Sequence, residues 1–217
     1  MNGFGATVSR ILVLGCPGSG KSTLATVLAR RTGLPLHRLD DEHWGPGWTR
    51  PDPVWWKRRQ ETIVSNDRWI IEGNYLPTIP IRAARAEVVV VVDTGTFRCL
   101  YRVVARAWRI RRGDLGGLPT AVAAEAARGT RVKATRDLGA LLWLVLLFRF
   151  RGRWPVVDAA RTNPDAGLVL AVTPSRGRDR AENVRKALRR REIEARTVGT
   201  AEVADLIEGW AVPARQV

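Results

Sequence analysis

A glycine-rich stretch near the start of the chain carries a lysine and a hydroxyl at a spacing that suits phosphate chemistry. Residues 15–22 read GCPGSGKS, which matches G-x-x-x-x-G-K-[ST] at every specified position. Glycines let such a loop wrap so that backbone N–H groups converge on phosphate oxygens. The lysine of this pattern reaches the β- and γ-phosphates, and the hydroxyl ligates Mg²⁺. The predicted ligands of ATP in this loop are Gly15, Pro17, Gly18, Ser19, Gly20, Lys21, Ser22 and Thr23.

The flanks of this loop are the ones that the pattern requires. Residues 11–14 form an apolar run that reads as a buried parallel strand, and residues 22–30 read as a helix. The helix adds the positive end of its dipole to the anion site. This context favours a nucleoside-triphosphate site over a chance glycine-rich turn.

Acidic residues follow three further apolar segments, at the point where each segment ends. Asp40 comes after residues 36–39, Glu72 after residues 68–71, and Asp93 after a run of valines at residues 88–92. Ligands of open parallel sheets collect at the carboxyl ends of the strands. Asp40 therefore either acts on a substrate or caps a turn. Asp93 either holds Mg²⁺ through water or caps the next helix, so Ser22 and Asp93 are the metal residues that these patterns predict.

Several neighbouring residues are candidates for binding a second substrate, the acceptor. The HWGPGW segment contains tryptophans that either cover the core or line a substrate cleft. A guanidinium from Arg82 could bind phosphate, although a solvated arginine is the default. The predicted acceptor-binding residues are Asp40, Trp48, Gly73, Asn74, Tyr75 and Arg82, with Asp40 also predicted to be catalytic.

A basic helix and a glycine-rich segment supply further phosphate-binding candidates. Residues 97–112 have a helical pattern, in which Arg102, Arg106 and Arg109 recur at spacings of four and three along one face. Arg106 and Arg109 are predicted to act in the transfer step together with Lys21. The following glycine-rich segment predicts a mobile lid over about residues 111–137, whose basic residues could close over a phosphoryl group. Its candidates are Arg128, Arg131, Lys133 and Arg136.

Size, charge and cysteine content limit the class of protein. A chain of 217 residues suits one α/β domain with an inserted lid. The net charge of +15 indicates either a nucleic-acid or membrane partner, or an arginine-rich composition with a site for polyanionic nucleotides. The arginines are spread along the chain rather than gathered in one block, which favours the second interpretation. Two cysteines make no disulfide framework, and no signal peptide or membrane span is evident, so we expect a cytoplasmic protein without a membrane partner. Its oligomeric state is not predicted.

The motifs together resemble a group of bacterial P-loop proteins. The phosphate loop, LHRLD, HWGPGW, RWIIEGNY with a following Arg82, VVVVVDTGTFRCLYRVVARAWRIRRG and WLVLLFRFRGRWP look like the "DNA topology modulation protein" or adenylate-kinase-like ATPase group. That group is similar to nucleoside-monophosphate and shikimate kinases. The resemblance implies a three-layer P-loop fold with a five-stranded parallel sheet in the order 2-3-1-4-5 and a helical lid.

The resemblance also implies roles for individual residues. Glu72 matches an acid near the metal, and Arg102 with Arg106 matches a pair that contacts the triphosphate nucleotide. Arg176 resembles the loop on the adenine side, while Asp40, Gly73 and Arg82 fall where the acceptor is held. The chain departs from the group after Arg112-Gly113, where Asp114-Leu115-Gly116-Gly117 stands instead of an early lid arginine.

These observations predict a small-molecule or nucleotide kinase that uses ATP and Mg²⁺. The alternative is a basic nucleotide-binding ATPase that binds DNA or regulates its topology. This alternative depends on the charge and the group label, since no helix-turn-helix or zinc-finger pattern is visible in the sequence.

Overall fold

The fold is built on one parallel sheet. The computed structural model describes residues 8–133, 137–148, 153–173, 182, 186 and 194–209. Within these residues six strands pair in the order β2-β3-β1-β4-β5-β6, and every pair is parallel. The strands are β1 (Arg10–Gly15), β2 (Leu36–Arg38), β3 (Trp69–Glu72), β4 (Val88–Asp93), β5 (Gly167–Val172) and β6 (Arg196–Gly199).

The predicted sheet is confirmed in its class, its parallel pairing and the relative order of five strands, but its strand number was wrong. A sixth strand, β6, pairs with β5 in the register Val169 with Arg196 through Val172 with Gly199. The four residues of β6 are only partly covered, which leaves little apolar alternation to detect. The open edge of β5, rather than the local sequence of β6, accounts for this strand.

The two central strands owe their position to β-branched and aliphatic side chains. β4 is a run of five valines before Asp93, and all its residues are buried. β1 lies between β3 and β4, with Leu12 paired to Ile71 on one side and to Val89 on the other. Such continuous apolar runs suit strands that are covered on both faces.

Helices cover both faces of the sheet. They are α1 (Lys21–Thr32), α2 (Leu39–His43), α3 (Pro53–Ser65), α4 (Ile79–Ala83), α5 (Thr96–Arg111), α6 (Thr120–Ala127), α7 (Leu138–Leu147), α8 (Arg153–Ala160) and α9 (Val203–Glu208). One apolar layer of the sheet packs against α1 and α9. The opposite layer packs against α3, α4, α5, α7 and α8. The three-layer arrangement predicted from the resemblance is therefore present.

Local signals set several helix ends as the sequence predicts. The Asp52 carboxylate accepts hydrogen bonds from the backbone N–H groups of Val54 and Trp55, both at 2.9 Å, and begins α3. Asp137 caps α7 in the same way by accepting from Ala140 N. α7 ends at Leu147. None of the helices in the described ranges is long and apolar enough to cross a membrane.

Candidate functional site

The phosphate loop connects the carboxyl end of β1 to the start of α1, and its path requires glycine at two positions. Gly15 has φ +150°, and a Cβ atom there would lie 2.7 Å from the carbonyl oxygen of Val92. Gly18 has φ +77°, and its Cβ would lie 2.5 Å from the carbonyl oxygen of Cys99. Any side chain at either position would collide with backbone. The loop therefore packs closely on the ends of β4 and α5.

Side chains from three other elements hold the loop in place. Asn74 accepts a hydrogen bond from Gly15 N at 3.0 Å and donates one to Gly15 O at 2.8 Å. Thr94 donates from its hydroxyl to Ser19 O at 2.8 Å. Arg102 donates to the same carbonyl at 3.1 Å. The loop is thus preorganised by contacts that do not involve a ligand, which lowers the entropic cost of binding one.

The two-sided contact of Asn74 gives a first prediction. We expect Asn74→Asp to weaken ATP binding by at least about tenfold, because its second carboxylate oxygen would face Gly15 O where an N–H group now donates. Titration of the protein with a fluorescent ATP analogue measures the change. Asn66→Asp, at the exposed end of α3, adds the same charge away from the loop and should bind like the wild type. Unchanged affinity in Asn74→Asp would contradict the anchoring role.

Lys21 and Glu72 form an ion pair at the base of the loop. Lys21 Nζ lies 3.2 Å from Glu72 Oε1, and both side chains are largely removed from solvent. Burial lowers the pKa of Lys21, but the carboxylates of Glu72 and Asp40 outweigh it and raise the pKa above its usual value. The positive charge of Arg106 opposes this rise in the pKa of Lys21, so Arg106 lies within electrostatic reach of the ammonium group. Glu72 therefore contacts the Lys21 ammonium group directly, and Asp40 and Arg106 lie within electrostatic reach of it.

The residues predicted to hold Mg²⁺ supply oxygen ligands, as that ion prefers. Ser22 is exposed in the first turn of α1, while Glu72 and Asp93 are buried at the ends of β3 and β4. Within the described ranges no three His, Cys, Asp or Glu side chains cluster closely enough to hold a metal. This donor set fits an ion held by one or two protein groups together with nucleotide phosphates.

Asp40 lies beside Tyr75 at the start of a line of aromatic rings. The Tyr75 hydroxyl donates a hydrogen bond to Asp40 Oδ1 at 2.9 Å. Burial and the neighbouring Asp40 charge raise the pKa of Tyr75, so the hydroxyl keeps its proton. Ring contacts continue from Tyr75 to His43 at 4.5 Å, from His43 to Trp44 at 4.8 Å, and from Trp44 to Trp48 at 5.5 Å. We call these four side chains the aromatic row.

Arg82 does not have the surroundings that the predicted acceptor role requires. Its side chain is fully buried, and its guanidinium donates to the carbonyl oxygens of Gly73 (2.6 Å), Asn74 and Tyr75 (3.3 Å). Burial lowers the pKa of Arg82 to about 9. The expectation of a phosphate-binding arginine is corrected here: Arg82 holds the segment after β3 in place. Sequence could not distinguish these roles, because both use a guanidinium at the same position.

The predicted transfer-step arginines line a cavity between α5 and the segment that follows it. Arg106 and Arg109 enclose a space of about 280 Å³ together with Asp114 and Gly117. A Cβ atom on Gly117 would lie 3.0 Å from Arg106 Cγ, so the glycine leaves room for that side chain. Arg109 Nη1 lies 3.8 Å from Asp114 Oδ2. Two guanidinium groups at one cavity suit an anionic ligand.

The predicted lid segment is docked on the residues after β2. Trp48 packs with the cluster around α6, and its indole N–H donates to Lys133 O at 3.2 Å. Thr120 N donates to Asp41 Oδ1 at 2.8 Å, and Gly47 N donates to Glu125 Oε2 at 2.6 Å. Of the two roles left open for the tryptophans, packing accounts for the contacts of Trp48. Arg128, Arg131 and Lys133 are exposed on this segment, and Arg136 lies outside the described residues.

Other candidate residues fall outside the description or were not predicted. Arg176 lies outside the described residues. Thr94 was not predicted, yet its hydroxyl contacts both Ser19 O and the Thr173 hydroxyl, the latter at 2.7 Å. The sequence signal that could have identified Thr94 was its position directly after Asp93, at the end of a strand. Asp41 was also missed, because its carboxylate accepts a hydrogen bond from the predicted lid segment, which is distant in the sequence.

Comparison with known proteins gives similarities to kinases of solved structure. No protein-family model and no curated protein matches the chain. The shikimate kinase from Acinetobacter baumannii in complex with shikimate is 16% identical, with a TM-score of 0.47 over 86% of this chain and 93% of that one. The shikimate kinase from Bacteroides thetaiotaomicron is 13% identical, with a TM-score of 0.45 over 86% and 100%. A putative kinase from Chloroflexus aurantiacus is 16% identical, with a TM-score of 0.43 over 85% and 98%.

These similarities leave the finer assignments open. Identities of 13–16% do not carry over an acceptor or a set of ligands. The resemblance to the DNA topology modulation group stays a prediction. The functional argument therefore depends on the site geometry of this chain.

Proposed function

We propose that this protein is a P-loop phosphotransferase that moves the γ-phosphoryl group of ATP to a hydroxyl of a small molecule. The observation that carries the proposal is the Lys21–Glu72 ion pair beside a preorganised phosphate loop, with Asp40 and Arg106 in electrostatic reach of Lys21. A cationic centre next to an acceptor-side carboxylate is what phosphoryl transfer to a hydroxyl needs.

The donor side would bind the triphosphate along the loop. Backbone N–H groups of the loop and the N-terminus of α1 would hold phosphate oxygens, and Ser22 with Glu72 and Asp93 would hold Mg²⁺ directly or through water. When bound, Mg²⁺ supplies positive charge to the β- and γ-phosphates. Lys21 would exchange its contact with Glu72 for the γ-phosphate, and Arg106 would add a second positive charge.

The acceptor side supports a hydroxyl rather than a phosphate as the group that is phosphorylated. Asp40 is exposed, accepts from Tyr75 and lies within electrostatic reach of Lys21. A carboxylate held in this way can orient a hydroxyl and accept its proton. Arg82 would be the natural phosphate ligand, but its guanidinium is occupied by three carbonyl groups. The docked lid segment and the aromatic row would then exclude water from this side.

The experiment that tests this proposal measures ADP release from Mg·ATP by the purified protein with candidate acceptors. The screen covers nucleosides, sugar acids and polyols, with nucleoside monophosphates as the competing class. We expect a hydroxyl acceptor to stimulate turnover, and Asp40→Asn to lower kcat by about a hundredfold while ATP affinity is unchanged. Asp67→Asn, an exposed carboxylate in a loop, should behave like the wild type. Stimulation by nucleoside monophosphates alone, unaffected by Asp40→Asn, would contradict the hydroxyl assignment.

The described residues add no observation in favour of the DNA-binding alternative. If the purified protein binds ATP but no acceptor raises its rate of ADP release, the kinase proposal loses its support.

A further inference from the structure

Helix α5 has two apolar faces, and only one of them is buried. Cys99, Val103, Ala107 and Ile110 point into the core. On the other side, Phe97, Tyr101, Val104 and Trp108 recur at spacings of four, three and four, which places them on one stripe of the helix. Their exposed fractions are 87%, 74%, 49% and 53%. We call these four side chains the α5 stripe.

The neighbouring helix α7 also exposes apolar side chains. α7 packs beside α5 and consists of LGALLWLVLL, without a charged residue. Val145 is buried, whereas Trp143, Leu144 and Leu146 are exposed. A helix that is apolar on all sides belongs in an apolar environment on all sides. Exposed apolar patches formed by several large side chains mark interaction surfaces.

The charged residues of helix α5 all have one sign. No acidic residue occurs between Asp93 and Asp114. Arg112 stacks on the indole of Trp108, with its guanidinium carbon 3.6 Å from the ring centroid. Of the exposed arginines of this helix and its end, Arg102 and Arg109 are directed to the candidate site, which leaves Arg98, Arg111 and Arg112 beside the stripe. The partner of this surface must therefore be apolar and anionic at once.

Three other occupants satisfy this requirement less well. A second copy of the chain would bring the arginines of two α5 helices together, and the arginine-rich segment 174–193 of the same chain has the same sign of charge. A single-stranded nucleic acid could stack on Phe97 and Trp108 and neutralise the arginines. Val104, Leu144 and Leu146, however, offer it neither a stacking surface nor a hydrogen bond.

We propose that the α5 stripe and the exposed side chains of α7 dock this protein on the surface of an anionic phospholipid bilayer. The aromatic rings and aliphatic side chains would enter the boundary between headgroups and acyl chains, where amphipathic helices bind. The arginines would contact lipid phosphates. This is a peripheral contact, and it replaces the expectation from the sequence that the protein has no membrane partner.

The membrane contact leaves the candidate active site accessible. Arg102 points from α5 to the carbonyl oxygens of Gly18 and Ser19. Tyr101 is its neighbour in sequence, and consecutive helical side chains differ by about 100° in direction. The stripe therefore lies on a different side of α5 from the side chain that contacts the phosphate loop, so we expect membrane docking and nucleotide binding to be separable properties.

The test compares co-sedimentation of the full-length protein with two kinds of vesicle. One kind is phosphatidylcholine alone, and the other is equimolar phosphatidylcholine and phosphatidylglycerol. We expect at least about tenfold stronger partition to the anionic vesicles. The variant Phe97→Gln/Trp108→Gln keeps the net charge, and we expect it to lose about tenfold in that partition because the buried apolar area is lost.

A matched control separates the stripe from general surface effects. Trp55→Gln removes an exposed tryptophan from α3 and should partition like the wild type. The double variant should unfold at the wild-type temperature and bind a fluorescent ATP analogue normally. If the double variant partitions to the anionic vesicles as strongly as the wild type, net charge alone attracts the protein and the proposal is wrong. If a single-stranded oligonucleotide displaces the vesicles and its binding is lost in the double variant, the partner is a nucleic acid and the membrane proposal is wrong. If the wild type forms a dimer on gel filtration and the double variant does not, the partner is a second copy of the chain.

Discussion

Replacing Lys21 by alanine is expected to lower acceptor-dependent turnover by at least about a thousandfold, because the ammonium group stabilises charge that develops during transfer. The pair with Glu72 keeps Lys21 in place at 3.2 Å before any ligand binds. The loss should appear mainly in kcat, measured as ADP release at saturating ATP. Lys57→Ala removes an exposed lysine of α3 and should leave turnover unchanged.

The same substitution should also reduce stability, for a different reason. Lys21→Ala leaves the buried Glu72 carboxylate without its cation, which we expect to cost about 3 kcal/mol in the free energy of unfolding. Lys21→Ala/Glu72→Gln should recover most of this loss in urea unfolding but none of the turnover. Turnover that survives in the single variant would contradict the catalytic role. Turnover that returns in the double variant would show that the loss came from misfolding.

Replacing Arg82 by alanine is expected to lower the free energy of unfolding by about 4 kcal/mol, because carbonyl groups lose a buried donor and a large side chain leaves a cavity. Its guanidinium contacts three consecutive carbonyls, those of Gly73, Asn74 and Tyr75. Urea unfolding measures the change. Arg82→Lys should recover only part of the stability, since an ammonium group cannot present the planar set of donors.

A neighbouring arginine provides the control for this effect. Arg85 is exposed three residues later, and Arg85→Ala should change stability by no more than about 0.5 kcal/mol. The result also decides between two roles for Arg82. If Arg82→Ala unfolds like the wild type but raises the KM of the acceptor, the role predicted from sequence is correct and the positioning role is wrong.

The secondary structure of the sheet was largely predictable from local patterns. The valine run predicts β4 to within one residue at each end, and residues 167–172 form a similar apolar run that matches β5. Both strands are buried along most of their length, so their sequences are nearly continuous apolar runs. β6 was not predictable in this way, because a short edge strand is stabilised by its partner rather than by its own composition.

The candidate site was predictable where backbone geometry follows from residue type. Gly15 and Gly18 approach other carbonyls so closely that no other residue fits, and the loop pattern therefore specifies its own shape. The acids after β2, β3 and β4 were correctly expected at one edge of the sheet, since parallel strands end together. The reach of Asp40 and Glu72 to Lys21 follows from this arrangement.

The sequence by itself determined the phosphate loop, the class of the fold and the edge of the sheet where polar groups collect. The tertiary structure alone decided that Arg82 supports a backbone segment, that Trp48 packs against the predicted lid, and that Phe97 to Trp108 form an exposed stripe. The physical reason is that a loop or strand is specified by neighbours along the chain. Whether a guanidinium meets a ligand or a carbonyl, and whether an aromatic ring is covered, depends on groups that are distant in sequence.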